Sequence, residues 1–169
     1  MAVVSDTAGL IGIITLEVRD EAGELVDRRE CHNLITSAGL TAFASALNWS
    51  GITDQAPNMG VDSPYLLSPL YGAVGTGTTA PATTDTTLGA ELDRNVVSGS
   101  AAANGQLTWS FFFGSSQAVG TIAEAGVFGG ASVDTDAGIL LDHVLIAPPV
   151  TKTNTQTMTM QAIFTLVNG

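Results

Sequence analysis

The sequence predicts a mainly β fold: an antiparallel β-sandwich, jelly-roll-like, with one packed α-helix, in a single domain over residues 1–169. Three observations carry this reading. Residues 106–114 and 156–167 alternate, with Leu107, Trp109, Phe111 and Phe113 on one face of the first and Met158, Met160, Ala162, Phe164 and Leu166 on one face of the second. Asn104-Gly105 supplies the two positive-φ positions that a tight hairpin demands. About eight strand-like segments are joined by turns with no repeating strand–helix alternation, which argues against a parallel sheet.

Each element has a local reason. Residues 12–19 form a strand with Ile14, Leu16 and Val18 on one face and Thr15, Glu17 and Arg19 on the other. Asp20-Glu21-Ala22-Gly23 turns the chain, and residues 24–32 return beside it. The charges of this hairpin, Glu17, Asp20, Glu21, Glu24, Asp27 and Glu30 against Arg19, Arg28 and Arg29, read as a solvated face with cross-strand pairs. Thr36 or Ser37 caps the one good helix, residues 36–47, whose Leu40, Phe43, Ala44 and Leu47 make an apolar stripe for a sheet. Residues 48–69 are irregular, broken by Gly51, Pro57, Gly60, Pro64 and Pro69.

A short strand spans 70–74. The low-complexity run 75–87, GTGTTAPATTDTT, is a surface loop, after which Asp85 or Thr86 caps a single helical turn over 88–92. Weakly patterned residues 95–103 lead into the Asn104-Gly105 hairpin. Phe112 interrupts the polar face of the next strand, so that side is partly covered. Residues 121–128 are a strand ending at Gly129-Gly130, and 134–138 a turn. Residues 139–146 are a strand apolar on both faces, stopped by Pro148-Pro149. Met160, Phe164, Leu166, Trp109 and Phe111 are the expected core.

Composition excludes several functions. Charged residues are 12% of the chain, about half the usual quarter. Five Lys and Arg stand against 16 Asp and Glu, a net charge of −11. Nucleic acid and anionic membrane both need a basic footprint that is missing here. No apolar run is long enough to span a bilayer, and nothing basic precedes the stretch 10–14 as a secretory signal requires. The low charge density and the two-sided apolar strand 139–146 leave surface to bury against other subunits.

No catalytic, cofactor-binding or metal-ligating residue is assigned, and no enzymatic activity is expected. Gly75-Thr-Gly77-Thr-Thr-Ala80 matches the dinucleotide fingerprint and follows a strand, but Pro81 and the Thr-rich tail deny it the helix that meets the pyrophosphate. The only lysine, Lys152, is far from it. Cys31 cannot pair within the chain, and His32 and His143 lack metal-ligand spacing, so these three read as structural or exposed side chains. Asp134-x-Asp136-x-Gly138 resembles a calcium loop but lacks its third acid and closing Glu, which leaves a turn. No pair of carboxylates stands out for acid–base work. Asn48-Trp49-Ser50 fits a glycosylation sequon without a secretory signal. Trp109 reads as core, and Trp49 as an exposed anchor for a subunit contact.

Three stretches resemble small structural proteins of tailed bacteriophages: Asn33-Leu-Ile-Thr36-Ser-Ala-Gly39-Leu40; Ala73-Val-Gly-Thr-Gly-Thr-Thr-Ala-Pro81-Ala-Thr-Thr-Asp85-Thr-Thr-Leu88-Gly-Ala-Glu91-Leu; and Ile122-Ala-Glu124-Ala-Gly126-Val-Phe128 with a later Gly138-Ile-Leu140. The resemblance implies a virion protein assembled in the host cytoplasm, without catalytic residues or cofactor. Without heptads or a repeated shaft the chain does not fit a fibre. The expectation is a capsid decoration (cement) protein, a homo-oligomer and most simply a trimer, bound to the major capsid protein. The alternatives are a tail, baseplate or fibre-associated component and a carbohydrate-binding module.

Overall fold

A computed structural model describes residues 9–49 and 67–167. Most of the expected irregular segment 48–69 lies outside the described residues, as do the side chains of Leu47 and Trp49 and the end of the sequon. The elements are β1 (Gly9–Arg19), β2 (Leu25–Ile35), α1 (Ser37–Trp49), β3 (Tyr71–Gly75), β4 (Glu91–Ala103), β5 (Gln106–Phe113), β6 (Gly120–Gly129), β7 (Ile139–Lys152) and β8 (Thr157–Val167).

The expected open sandwich is corrected to a closed antiparallel barrel with strand order β1-β2-β7-β6-β3-β4-β5-β8. Two strands that change partner midway close it. β2 pairs with β1 from Leu25 to Asn33, then with β7 at Leu34 and Ile35. β4 pairs with β3 up to Val96, then with β5 from Val97, with a register shift before Gly99. A strand shared between two layers turns a corner, so the layers join instead of facing each other as separate sheets. Period-two alternation is the same in a sandwich layer and a barrel wall, so it does not distinguish them.

The interior is filled by side chains. Ile14, Leu16 and Val18 of β1, Trp109, Phe111 and Phe113 of β5, Ile122 and Val127 of β6, and Met158, Met160 and Phe164 of β8 form one buried cluster. Each fully buried large side chain contributes about 1.5–3 kcal/mol. The expected core residues Met160, Phe164, Trp109 and Phe111 are all here. Leu166 is not, being 61% exposed near the end of β8, and Phe112 is 46% exposed on the other face of β5.

Helix α1 packs differently from its expected stripe. The Thr36 hydroxyl accepts the Gly39 N–H at 2.8 Å, which makes Thr36 the N-cap, and donates to Leu140 O at 2.5 Å. Gly39 lies on the β7 backbone, where a Cβ would sit 2.0 Å from Leu141 O. The absent side chain lets the helix approach, so Gly39 and Ala42 are buried while Leu40 and Ala44 are exposed. Phe43 still reaches the core, parallel to Trp109 at 6.1 Å and tilted against Phe164 at 5.1 Å.

Two further expectations fail. The helical turn at 88–92 is absent, because β4 starts at Glu91 and pairs with Gly75. Pro148-Pro149 do not end the strand, which runs to Lys152. Between Leu145↔Glu124 and Val150↔Ile122, five steps of β7 face two of β6. The prolines occupy this bulge, where no ladder N–H is needed.

Candidate functional site

The strands β3, β6 and β7 bury residues on both faces. Val74, Val127 and Leu141 point into the barrel, whereas Ala73, Phe128 and Leu140 form a second apolar cluster with Leu88 and Ala131. Leu88 belongs to the β3–β4 loop, residues 76–90, so this Thr-rich loop roofs the outer face of the sheet. The strand 139–146, apolar on both faces, is therefore covered by the chain's own loop.

Beside the apolar contact, the roof is held by a buried polar cluster. Glu124, fully buried on β6, accepts the Gly77 N–H at 2.9 Å and the Ala90 N–H at 2.7 Å on Oε1, and the Gly89 N–H at 2.8 Å on Oε2. Its Oε2 is also 3.0 Å from His143 Nε2, and His143 Nδ1 is 2.8 Å from Asp85 Oδ2. Asp85 in turn accepts the Ala82 N–H at 2.8 Å. A loop without secondary structure leaves its amides unpaired, and one buried carboxylate satisfies three of them. Burial alone would raise the Glu124 carboxyl. The Ala90, Gly89 and Gly77 amides and the His143 ring outweigh it and hold the group below its ordinary range. Asp85 is lowered first by the Ala82 amide and then, against desolvation, by the His143 ring.

The glycines of the apparent nucleotide fingerprint have this physical role. A Cβ on Gly75 would lie 2.4 Å from Glu124 Oε1 and 2.6 Å from Ala90 O, and a Cβ on Gly77 would lie 2.4 Å from Glu124 Oε1. These positions stay bare so that the backbone can reach the carboxylate. Gly75 ends β3 and no helix opens after it.

Two other loops are each pinned by one buried cation, Arg94 or Lys152. Arg94 forms a bidentate pair with Glu91 at 2.6 and 2.7 Å, donates to Ser132 O and Ala137 O, and stacks 4.4 Å over the Phe128 ring. It thereby fastens the turn at 134–138, where Asp136 has φ +59 and its N–H donates to Glu91. Lys152, 1% exposed, donates to the carbonyls of Gly114, Ser115 and Gln117 at 2.7–3.1 Å. Desolvation lowers its ammonium, with the Asp93 charge opposing.

Asp142 is also fully buried. It accepts the Val127 N–H at 2.7 Å and an amide N–H of Asn33, whose own Oδ1 is buried without a partner. Burial pushes Asp142 up to about 7, against the pull of Val127, Asn33 and His143.

The sequence weighed the residues of the cluster separately and did not join them. In the sequence His143 reads as a structural or exposed ring, Asp85 or Thr86 as a helix cap, and Glu124 only as part of the stretch 122–128. The available signal was a lone acid inside the apolar run Ile122-Ala-Glu124-Ala-Gly126-Val. His32 is exposed and Cys31 half-buried, packed on the core. Asp134 bonds within its own turn, to Ser132. Among the described residues, no group of three or more His, Cys, Asp or Glu side chains is placed to hold a metal, and no helix is long and apolar enough to cross a membrane.

Elsewhere, Leu10, Leu40, Phe43, Leu107, Phe164 and Leu166 line an apolar pocket of about 560 Å³ between α1 and the β4–β5 hairpin. No protein-family model matches the chain, and no curated protein or solved structure matches it either.

Proposed function

We propose that the chain is a structural protein of a tailed-phage virion, a decoration protein seated on the outside of the head. The observation that carries this is convergence. The stretches that resemble phage structural proteins are separate in sequence and meet at one place in the fold. Thr36 bonds Leu140, the Ser37 N–H donates to Thr83 O at 2.8 Å, and the amides of Gly77, Gly89 and Ala90 close on Glu124. A likeness built from residues that hold one another is a likeness of a folded unit, beyond shared low complexity. The chemistry of the cluster supports the same reading. Its buried charges are committed to the chain's own backbone, an arrangement suited to holding a surface loop in shape.

The two-sided strand 139–146 no longer argues for a homo-oligomer, since loop 76–90 covers it. Among the described residues, the apolar pocket beside Leu40 and Leu166, both more than half exposed, offers a surface for contact with the major capsid protein or a second copy. The test is copy number in purified particles, by quantitative mass spectrometry against the major capsid protein. Hundreds of copies are expected. A few to a few dozen would move the protein to the tail or baseplate, and absence from particles would end the reading.

A further inference from the structure

The His143 ring faces a carboxylate oxygen on each side, and the two sides differ. Glu124 is 1% exposed and already holds three backbone amides, none of which titrates. Asp85 is 27% exposed, and its link to the sheet among the described residues is the ring. Imidazole donates through both nitrogens only when it carries both protons. The doubly protonated ring therefore bridges Glu124 to Asp85, and the singly protonated ring serves one of them.

Burial decides which. A proton withdrawn from Nε2 would leave the desolvated Glu124 charge facing a lone pair, whereas one withdrawn from Nδ1 leaves by the side that water reaches. The arc between Ala82 and Asp85 is closed on itself by Ala82 N–H to Asp85 Oδ2 and Asp85 N–H to Ala82 O. It therefore moves as a unit. At Thr83 it accepts the Ser37 N–H, in the first turn of α1.

We propose that His143 is a protonation-controlled latch on the outer arc of loop 76–90. Doubly protonated, it fastens the arc to the sheet and to the start of α1. Singly protonated, it keeps Glu124 and releases Asp85, so that the arc opens, Ser37 loses its acceptor, and the roots of the loop at Gly77, Gly89 and Ala90 stay in place.

The titratable groups around the ring are Glu124 from β6, Asp85 from the loop and Asp142, its neighbour on β7. From β2 the residue paired with His143 is Leu34, and α1 carries no titratable side chain. The latch does not depend on the virion reading.

The test is amide hydrogen exchange by NMR across pH, expressed as protection factors, with the ring ¹⁵N shifts of His143 reporting its protons. As the ring goes from two protons to one, Ser37 protection should fall by about tenfold or more while Gly77, Gly89 and Ala90 keep theirs. Asp85→Ala, at a partly exposed position, should leave Ser37 weakly protected at every pH. Three results would overturn the latch: Ser37 protection unchanged while the ring titrates, all four amides weakening together, or a ring whose protonation never changes while the fold persists.

Discussion

Loop 76–90 and the hairpin arm 98–106 reverse what their sequences suggest about order. The loop is low-complexity and irregular, yet Leu88 is buried in an apolar cluster and three of its amides end on one carboxylate. The arm is regular β-structure, turned by Asn104 and Gly105 at φ +51 and +75, and every residue from Ser98 to Gln106 is exposed. A ladder pairs its own amides and needs nothing beneath it, whereas a loop must be given acceptors. Here that acceptor is a buried charge. Regularity and anchorage are separate properties, and they respond to different substitutions.

The largest effect is expected on the loop side. Glu124→Ala removes the acceptor of three buried amides and one partner of His143, and should cost about 3–5 kcal/mol in urea unfolding. A loss below about 1 kcal/mol would mean that Leu88, not the carboxylate, holds the roof.

Next comes the pH dependence set by Asp142. Its folded value is raised to about 7, above an unfolded value of about 3.9. Its contribution is therefore complete below the unfolded value and is lost as pH rises towards 7. Stability should decline over that interval by about 3 kcal/mol, and Asp142→Asn should flatten the slope. Asp85 and Glu124 act in the opposite sense, since their lowered values make stability fall only in acid, below the ordinary carboxylate range. A denaturant series at several pH values separates the two.

A glycine pair sharpens the comparison further. Gly77→Ala should cost about 1–3 kcal/mol through crowding against Glu124, and the cost should shrink in a Glu124→Ala background. Gly105→Ala should cost about 1–2 kcal/mol through its positive φ, with an added Cβ in ordinary contact with Leu166 O at 3.6 Å and no dependence on Glu124. Equal behaviour of the two in a double-mutant cycle would erase the distinction drawn here. At the small end, Ala101→Ser on the exposed arm should stay within about 0.5 kcal/mol in thermal unfolding.

The sequence alone determined what is local. Alternation in 106–114 and 156–167 placed β5 and β8 within a residue or two and identified their buried faces. Asn104-Gly105 specified its hairpin, and Thr36 or Ser37 a cap of which the structure uses Thr36, because each is decided by bonds within a few residues. It also determined that the chain is acidic and without a basic surface. Tertiary structure decided the rest. Barrel or sandwich turned on β2 and β4 changing partners midway, which no period in the sequence records. The face that α1 buries turned on Gly39 meeting the β7 backbone, a contact between residues about a hundred positions apart. Glu124, His143 and Asp85 became a unit only when loop 76–90 folded over β6 and β7, because the free energy of a buried charge depends on which distant amides reach it.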